Sequence, residues 1–192
     1  MVGVRQFDDE IVIRQALDLF WQQGPASTSM LNLAQATSVQ RGSLYNAFGD
    51  RETIFIKAFS LYSENLIKTS RESLNGLSAK EKLENFFDLI ITNMTLGIPS
   101  RGCLTTKTAI DGSLANDKIL HKVRELVSSL EFVVAQSFTG FEDQLLLPPP
   151  EAASLVVVFT RGLAVMERIH GSSQKLRRSA SQFVQCITRS SD

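Results

Sequence analysis

The chain is short of nearly everything that marks a secreted scaffold, a membrane span or a metal centre. Two cysteines in 192 residues, Cys103 and Cys186, are too few for a disulfide framework, and a reducing, cytoplasmic setting is expected. The two histidines, His121 and His170, stand apart from each other and from both cysteines and form no His/Cys ligand cluster, so no metal and no cofactor is expected. There is no phosphate-cradling glycine loop and no motif that would give Cys103 a catalytic partner; an enzyme is not expected. Uninterrupted apolar runs stop after a few residues, as from Leu155 to Phe159, against the ~20 needed to cross a bilayer. The mixed, charged stretch from Met1 to Glu10 lacks the basic-then-apolar order of a signal peptide. An excess of one charge is missing too: 20 Lys and Arg meet 20 Asp and Glu. Whole-chain basicity therefore gives no argument for a nucleic-acid partner, and any such argument must rest on local arrangement.

What is present is helical periodicity. Ile13, Ala16, Leu17 and Phe20 stand at i, i+3, i+4 and i+7, and so do Phe55, Ala58, Phe59 and Tyr62. The same spacing recurs around Leu83, Val123, Leu155 and Leu176, while no stretch sustains two-residue alternation between hairpin turns. Glycine and proline fall between the periodic segments, at Gly24-Pro25, Gly76, Gly97, Gly112, Gly140, Pro148 to Pro150 and Gly171. The pattern predicts an all-α chain of about nine helices over 8–23, 29–36, 40–46, 51–74, 79–96, 103–112, 115–138, 150–170 and 173–189. Helices 2 and 3 are short and lie between long neighbours. That contrast suggests a three-helix head over 1–49 and a larger helical body over 50–192, with helix 4 shared.

The stretch from Gly24 to Phe55 carries the most information. Thr28 or Ser29 can cap helix 2, its hydroxyl accepting from one of the unpaired first N–H groups. Leu33, Ala34 and Val39 supply a small apolar contact, and after Thr37-Ser38 the chain enters helix 3, where Leu44 and Phe48 read as buried. Its other face carries Gln40, Arg41, Gly42, Ser43, Tyr45 and Asn46. This is a helix-turn-helix pattern, with a second helix whose polar face suits a major groove.

Over residues 10–60 the chain resembles the tetracycline-repressor (TetR) family of one-component transcriptional regulators. Ala16-Leu-Asp-Leu-Phe20, Gly24, Thr28-Ser29, Leu33-Ala34, Arg41-Gly-Ser-Leu-Tyr45, Phe48-Gly-Asp-Arg-Glu52 and Ile54-Phe55 follow the family pattern in order and spacing. The resemblance implies a DNA-binding head of three helices and a ligand-binding body that dimerises through helices 8 and 9. It implies phosphate contacts from Thr28, Ser29, Tyr45 and Arg51, and base-facing positions at Gln40, Arg41, Gly42, Ser43 and Asn46. Hydroxyls and Arg51 at the start of helix 4 are donors to phosphate; Gln or Asn can pair with adenine and Arg with guanine edges. Two positions depart from the pattern: Ser38 where glycine is usual in the turn, and Gln40 where Ser or Thr usually caps helix 3. A left-handed Ser38 would cost about 1 kcal/mol, and a missing cap about as much. Over residues 1–60 five basic side chains face six acidic ones, so the head carries no positive excess and a modest salt dependence is expected.

In the body, Ser100-Arg-Gly-Cys-Leu104 resembles a motif at the start of helix 6 in one subgroup of these regulators. Cys103 reads either as a thiol sensor, its thiolate favoured by a helix start and by Arg101, or as a small buried hydrophobe. Cys186 reads as packing between helices. The family plan places an effector pocket among helices 4 to 8, with Tyr62, Phe86, Phe87, Met94, Cys103, Thr106, Phe159 and Met166 as candidate lining. The many phenylalanines favour a small apolar effector, and Arg161 either partners a buried charge or extends to the surface. The function expected is a repressor that binds a palindromic operator in double-stranded DNA as a homodimer and is released by such an effector or by modification of Cys103. The alternative is a helical adaptor whose degenerate head does not bind DNA.

Overall fold

The computed structural model describes residues 7–189. Among them the chain forms nine α-helices: α1 (Asp9–Gln23), α2 (Met30–Thr37), α3 (Arg41–Phe48), α4 (Arg51–Ser73), α5 (Ala79–Met94), α6 (Leu104–Ile110), α7 (Asp117–Ser137), α8 (Pro149–His170) and α9 (Ser173–Ile187). The expected all-helical architecture is present, with no boundary shifted by more than two residues. Two short 3₁₀ turns, Ser113–Ala115 and Glu142–Gln144, and an isolated bridge between Leu145 and Thr188 were not anticipated by periodicity. Helix 6 stops at Ile110, short of the expected 112, because the Asp111 carboxylate takes the Ser113 N–H at 2.9 Å and Gly112 turns left-handed.

The helix ends follow from local chemistry. Asp8 caps α1 by accepting from the Glu10 and Ile11 N–H groups, and Gly24, at φ 86°, closes it by donating to the Phe20 carbonyl. Pro149 and Pro150 occupy the first turn of α8, where the missing N–H groups would find no helical partner in any case.

Two compact units emerge from the packing. The first comprises the residues up to Glu64 together with Lys107–Val123; the second comprises Asn65–Thr106 and the residues from Arg124 on. The division falls differently from a boundary at 49/50. The first half of α4 buries Ile54, Phe55, Ala58, Phe59 and Tyr62. Phe55 meets Phe20 edge-on at 5.0 Å, and Tyr62 meets Trp21 edge-on at 4.8 Å. Leu33, Leu44 and Phe48 close the same core around α2 and α3. In the second unit Leu83, Phe86, Phe87, Ile91, Leu130, Phe138 and Val156 are buried, and Phe159 stacks on Phe183 at 4.1 Å with Phe87 edge-on to both. Helices α4, α6 and α7 each contribute residues to both units.

Candidate nucleic-acid interface

Ser29 is the residue that caps α2. Its Oγ accepts from the Asn32 N–H at 3.2 Å, and the Asn32 side chain accepts from the Ser29 N–H at 2.9 Å, a reciprocal box with asparagine in the place usually held by Glu or Gln. The turn that follows is tight because Ser38 adopts φ 55°, ψ 25°, the left-handed conformation anticipated there. Gln40 precedes α3 without a side-chain cap. Burial of Leu44 and Phe48 fixes the rotation of α3, and the opposite face is left in solvent. Gln40, Arg41, Gly42, Tyr45 and Asn46 are exposed and Ser43 is half-buried. Arg41 makes no ion pair among the described residues, so its guanidinium is free to donate. A Cβ built on Gly42 would meet nothing within 4 Å. The face is thus polar, carries one cation and is sterically open.

Two side chains read as phosphate contacts are committed inside the protein. Thr28 is 1% exposed, and its hydroxyl donates to the Gly24 carbonyl at 2.9 Å. Arg51 donates from Nη1 to the carbonyls of Pro25 at 2.7 Å and Thr28 at 3.3 Å, and from Nη2 to Glu52 at 2.6 Å. In this conformation Thr28 and Arg51 are the internal ties of the 24–28 loop, the corner that delivers the chain to α2. Asp50 caps α4 by accepting from the Thr53 N–H at 2.7 Å. Hydrogen bonds from Thr53, helped by the charges of Lys118 and Arg51, hold its carboxyl below the usual range.

The candidate effector residues are scattered. Phe86, Phe87 and Met94 are buried core of the second unit. Tyr62 is buried against Trp21 and Phe59 in the first. Phe159 is half-buried in the aromatic stack, and the Thr106 hydroxyl is buried with no hydrogen-bond partner among the described residues. Met166, at 41% exposure, lies on the outer side of α8 and lines no interior space, because the buried side of that helix is set by Val156, Thr160, Leu163 and Glu167. Cys103 is half-buried, and the cation beside it is Arg161, with Nη1 3.4 Å from Sγ; Arg101 is turned to the Asn93 carbonyl and side chain. Arg161 is half-buried and meets no carboxylate among the described residues. Cys186 is exposed, so it does not pack inside the chain as expected.

Sequence reasoning missed the grip on the corner between α1 and α2. Lys107 donates to the carbonyls of Trp21 and Gln22, and the Asp111 carboxylate accepts from the Ala26 N–H at 2.9 Å. The only signal was their spacing of four on one helical flank, which names no partner.

Comparison with known proteins adds to this geometry. Residues 12–58 match the family model described as bacterial regulatory proteins, tetR family. The HTH-type transcriptional repressor ComR of Escherichia coli is 25% identical over 186 residues, covering 91% of this chain and 86% of that protein. A cysteine mutant of the regulator CifR in complex with 26-bp double-strand operator DNA superposes with a TM-score of 0.85 at 21% identity, covering 96% of this chain and 99% of that one. The reduced form of E. coli NemR gives 0.84 at 15%, with 95% and 97% covered.

Proposed function

We propose, from the match of residues 12–58 to the tetR family model and the likeness to ComR, that the chain is a tetR-family transcriptional repressor that reads a palindromic operator with α3 and acts as a homodimer. The observation that carries this reading is the solvent-facing side of α3, where Gln40, Arg41, Tyr45 and Asn46 surround an unobstructed Gly42 on a helix pinned by Leu44 and Phe48. Side chains of these types can donate to and accept from base edges, and Tyr45 and Ser29 can reach phosphates. ComR is named a repressor and CifR was solved on operator DNA, which supports the same role here.

Pairing through α8 and α9 is supported by an outward row on α8. Leu155, Val158, Val165, Met166 and Ile169 are exposed, with Gly162 in the middle of the row and no atom within 4 Å of its Cβ position. The spacing is that of a helix-helix seam, and a row of this kind needs a cover. Release of DNA follows when a small apolar effector, or modification of Cys103, favours a second arrangement of the dimer; without unequal affinity for the two there is no switch. Arg161, donating to Sγ, supports the thiol route by favouring the thiolate.

Selection of bound duplexes from a library of genomic fragments, followed by footprinting, tests the central reading. Protection of two half-sites separated by about one helical turn is the expected result. No protected duplex at low salt would favour the adaptor reading, to which the strained Ser38 and the uncapped α3 would then point.

A further inference from the structure

The corner from Trp21 to Thr28 joins α1 to the reading pair α2 and α3, and its polar groups are satisfied from far away in sequence. Helix α1 ends with no basic residue in its last turn. Its terminal carbonyls at Trp21 and Gln22 instead accept from the Lys107 ammonium on α6. A cation at a helix C-terminus is where the helix dipole and the unpaired carbonyls favour it. One turn further, Asp111 accepts from the Ala26 N–H with Oδ2 and from the Ser113 N–H with Oδ1, and the backbone of Gly24 passes so close that a Cβ there would sit 3.6 Å from Oδ2. From the other side Arg51 holds the carbonyls of Pro25 and Thr28. The few residues that set the direction in which α2 leaves α1 are therefore clamped between Lys107 on α6 with Asp111 just past its end and an arginine on α4.

We propose that Lys107 and Asp111 are positioning residues for DNA reading: they fix the α1–α2 corner in the form that operator binding requires, and operator affinity depends on them although neither belongs to the helix-turn-helix. The inference rests on the DNA-reading role proposed above. The corner leads directly into α2, which packs on both α1 and α3, so the clamp bears on the pose of the reading helix.

The chain supplies its own reporter, since Trp21 is its single tryptophan and its carbonyl is one of the two that Lys107 covers. Full-length Lys107→Met, Asp111→Asn and Lys107→Arg proteins are compared with the parent by Trp21 emission and acrylamide quenching, and by affinity for the duplex that selection recovers, well below the melting temperature. The expected result is altered Trp21 emission and operator affinity weakened roughly tenfold in Lys107→Met and Asp111→Asn, with the parent's emission and affinity kept in Lys107→Arg, which retains the cation. Unchanged emission together with unchanged affinity overturns the proposal; so does weakened affinity that Lys107→Arg shares, or that tracks only a lowered melting temperature. If the parent itself selects no duplex, the DNA-reading role has failed, and the emission of the three variants still reports whether the clamp holds the corner.

Discussion

At the scale of single residues, the structure separates side chains that face outward from those that hold the frame. Arg41 is exposed and unpaired, so Arg41→Gln should leave the melting temperature unchanged while operator affinity falls by about 1–3 kcal/mol, read by fluorescence anisotropy. Arg51→Met should do the reverse in kind: it strips two loop carbonyls of a charged donor and should lower stability by about 1.5–3 kcal/mol in urea unfolding, with operator affinity falling as a consequence of the lost loop. Ser38→Gly removes the positive-φ strain and should raise stability by up to about 1 kcal/mol. That strain was anticipated through the resemblance, because the family pattern usually has glycine where this chain has Ser38. The commitments of Thr28 and Arg51 were not legible. A hydroxyl or guanidinium near a helix start has many acceptors available, and only the path of the 24–28 loop decides that backbone carbonyls win.

At the scale of elements, the nine helices were readable because each buries a stripe, and burial writes a 3.6-residue period into the sequence. The 3₁₀ turns carry no such stripe and were silent. The direction in which the outer row of α8 faces was equally hidden, since Met166 continues the apolar period of that helix while lying outside its buried arc. Replacing Val158, 62% exposed in the middle of this row, with Glu should leave helicity intact and convert a dimer to a monomer in sedimentation equilibrium. The N-terminus of α4 gives a pH prediction. The Asp50 carboxyl titrates lower in the folded chain than in the unfolded one, so its contribution to stability is complete above the ordinary carboxylate value of about 3.9 and is lost as pH falls through the depressed folded value. Asp50→Asn should remove that acid-side loss from a denaturation-versus-pH curve and leave the neutral side nearly flat.

At the scale of the whole molecule, charge sets how the chain meets DNA. Arg41 is the one basic residue between Gly24 and Asp50, and Arg51 is occupied internally, so few phosphates can be neutralised per head. The slope of log affinity against log salt should be shallow, no steeper than about −5 for a dimer. The charge count already led to the expectation of a modest salt dependence, and a balanced net charge carries no sign of the reading face. The packing of Lys107–Val123 with the first sixty-four residues has a practical corollary for engineering. Transplanting only the N-terminal part of this regulator onto another scaffold would carry the acceptors at Trp21 and Gln22 without their lysine, and the amide of Ala26 without its carboxylate. A chimera has to import the segment as a second piece, because the first compact unit of this protein is discontinuous along its chain.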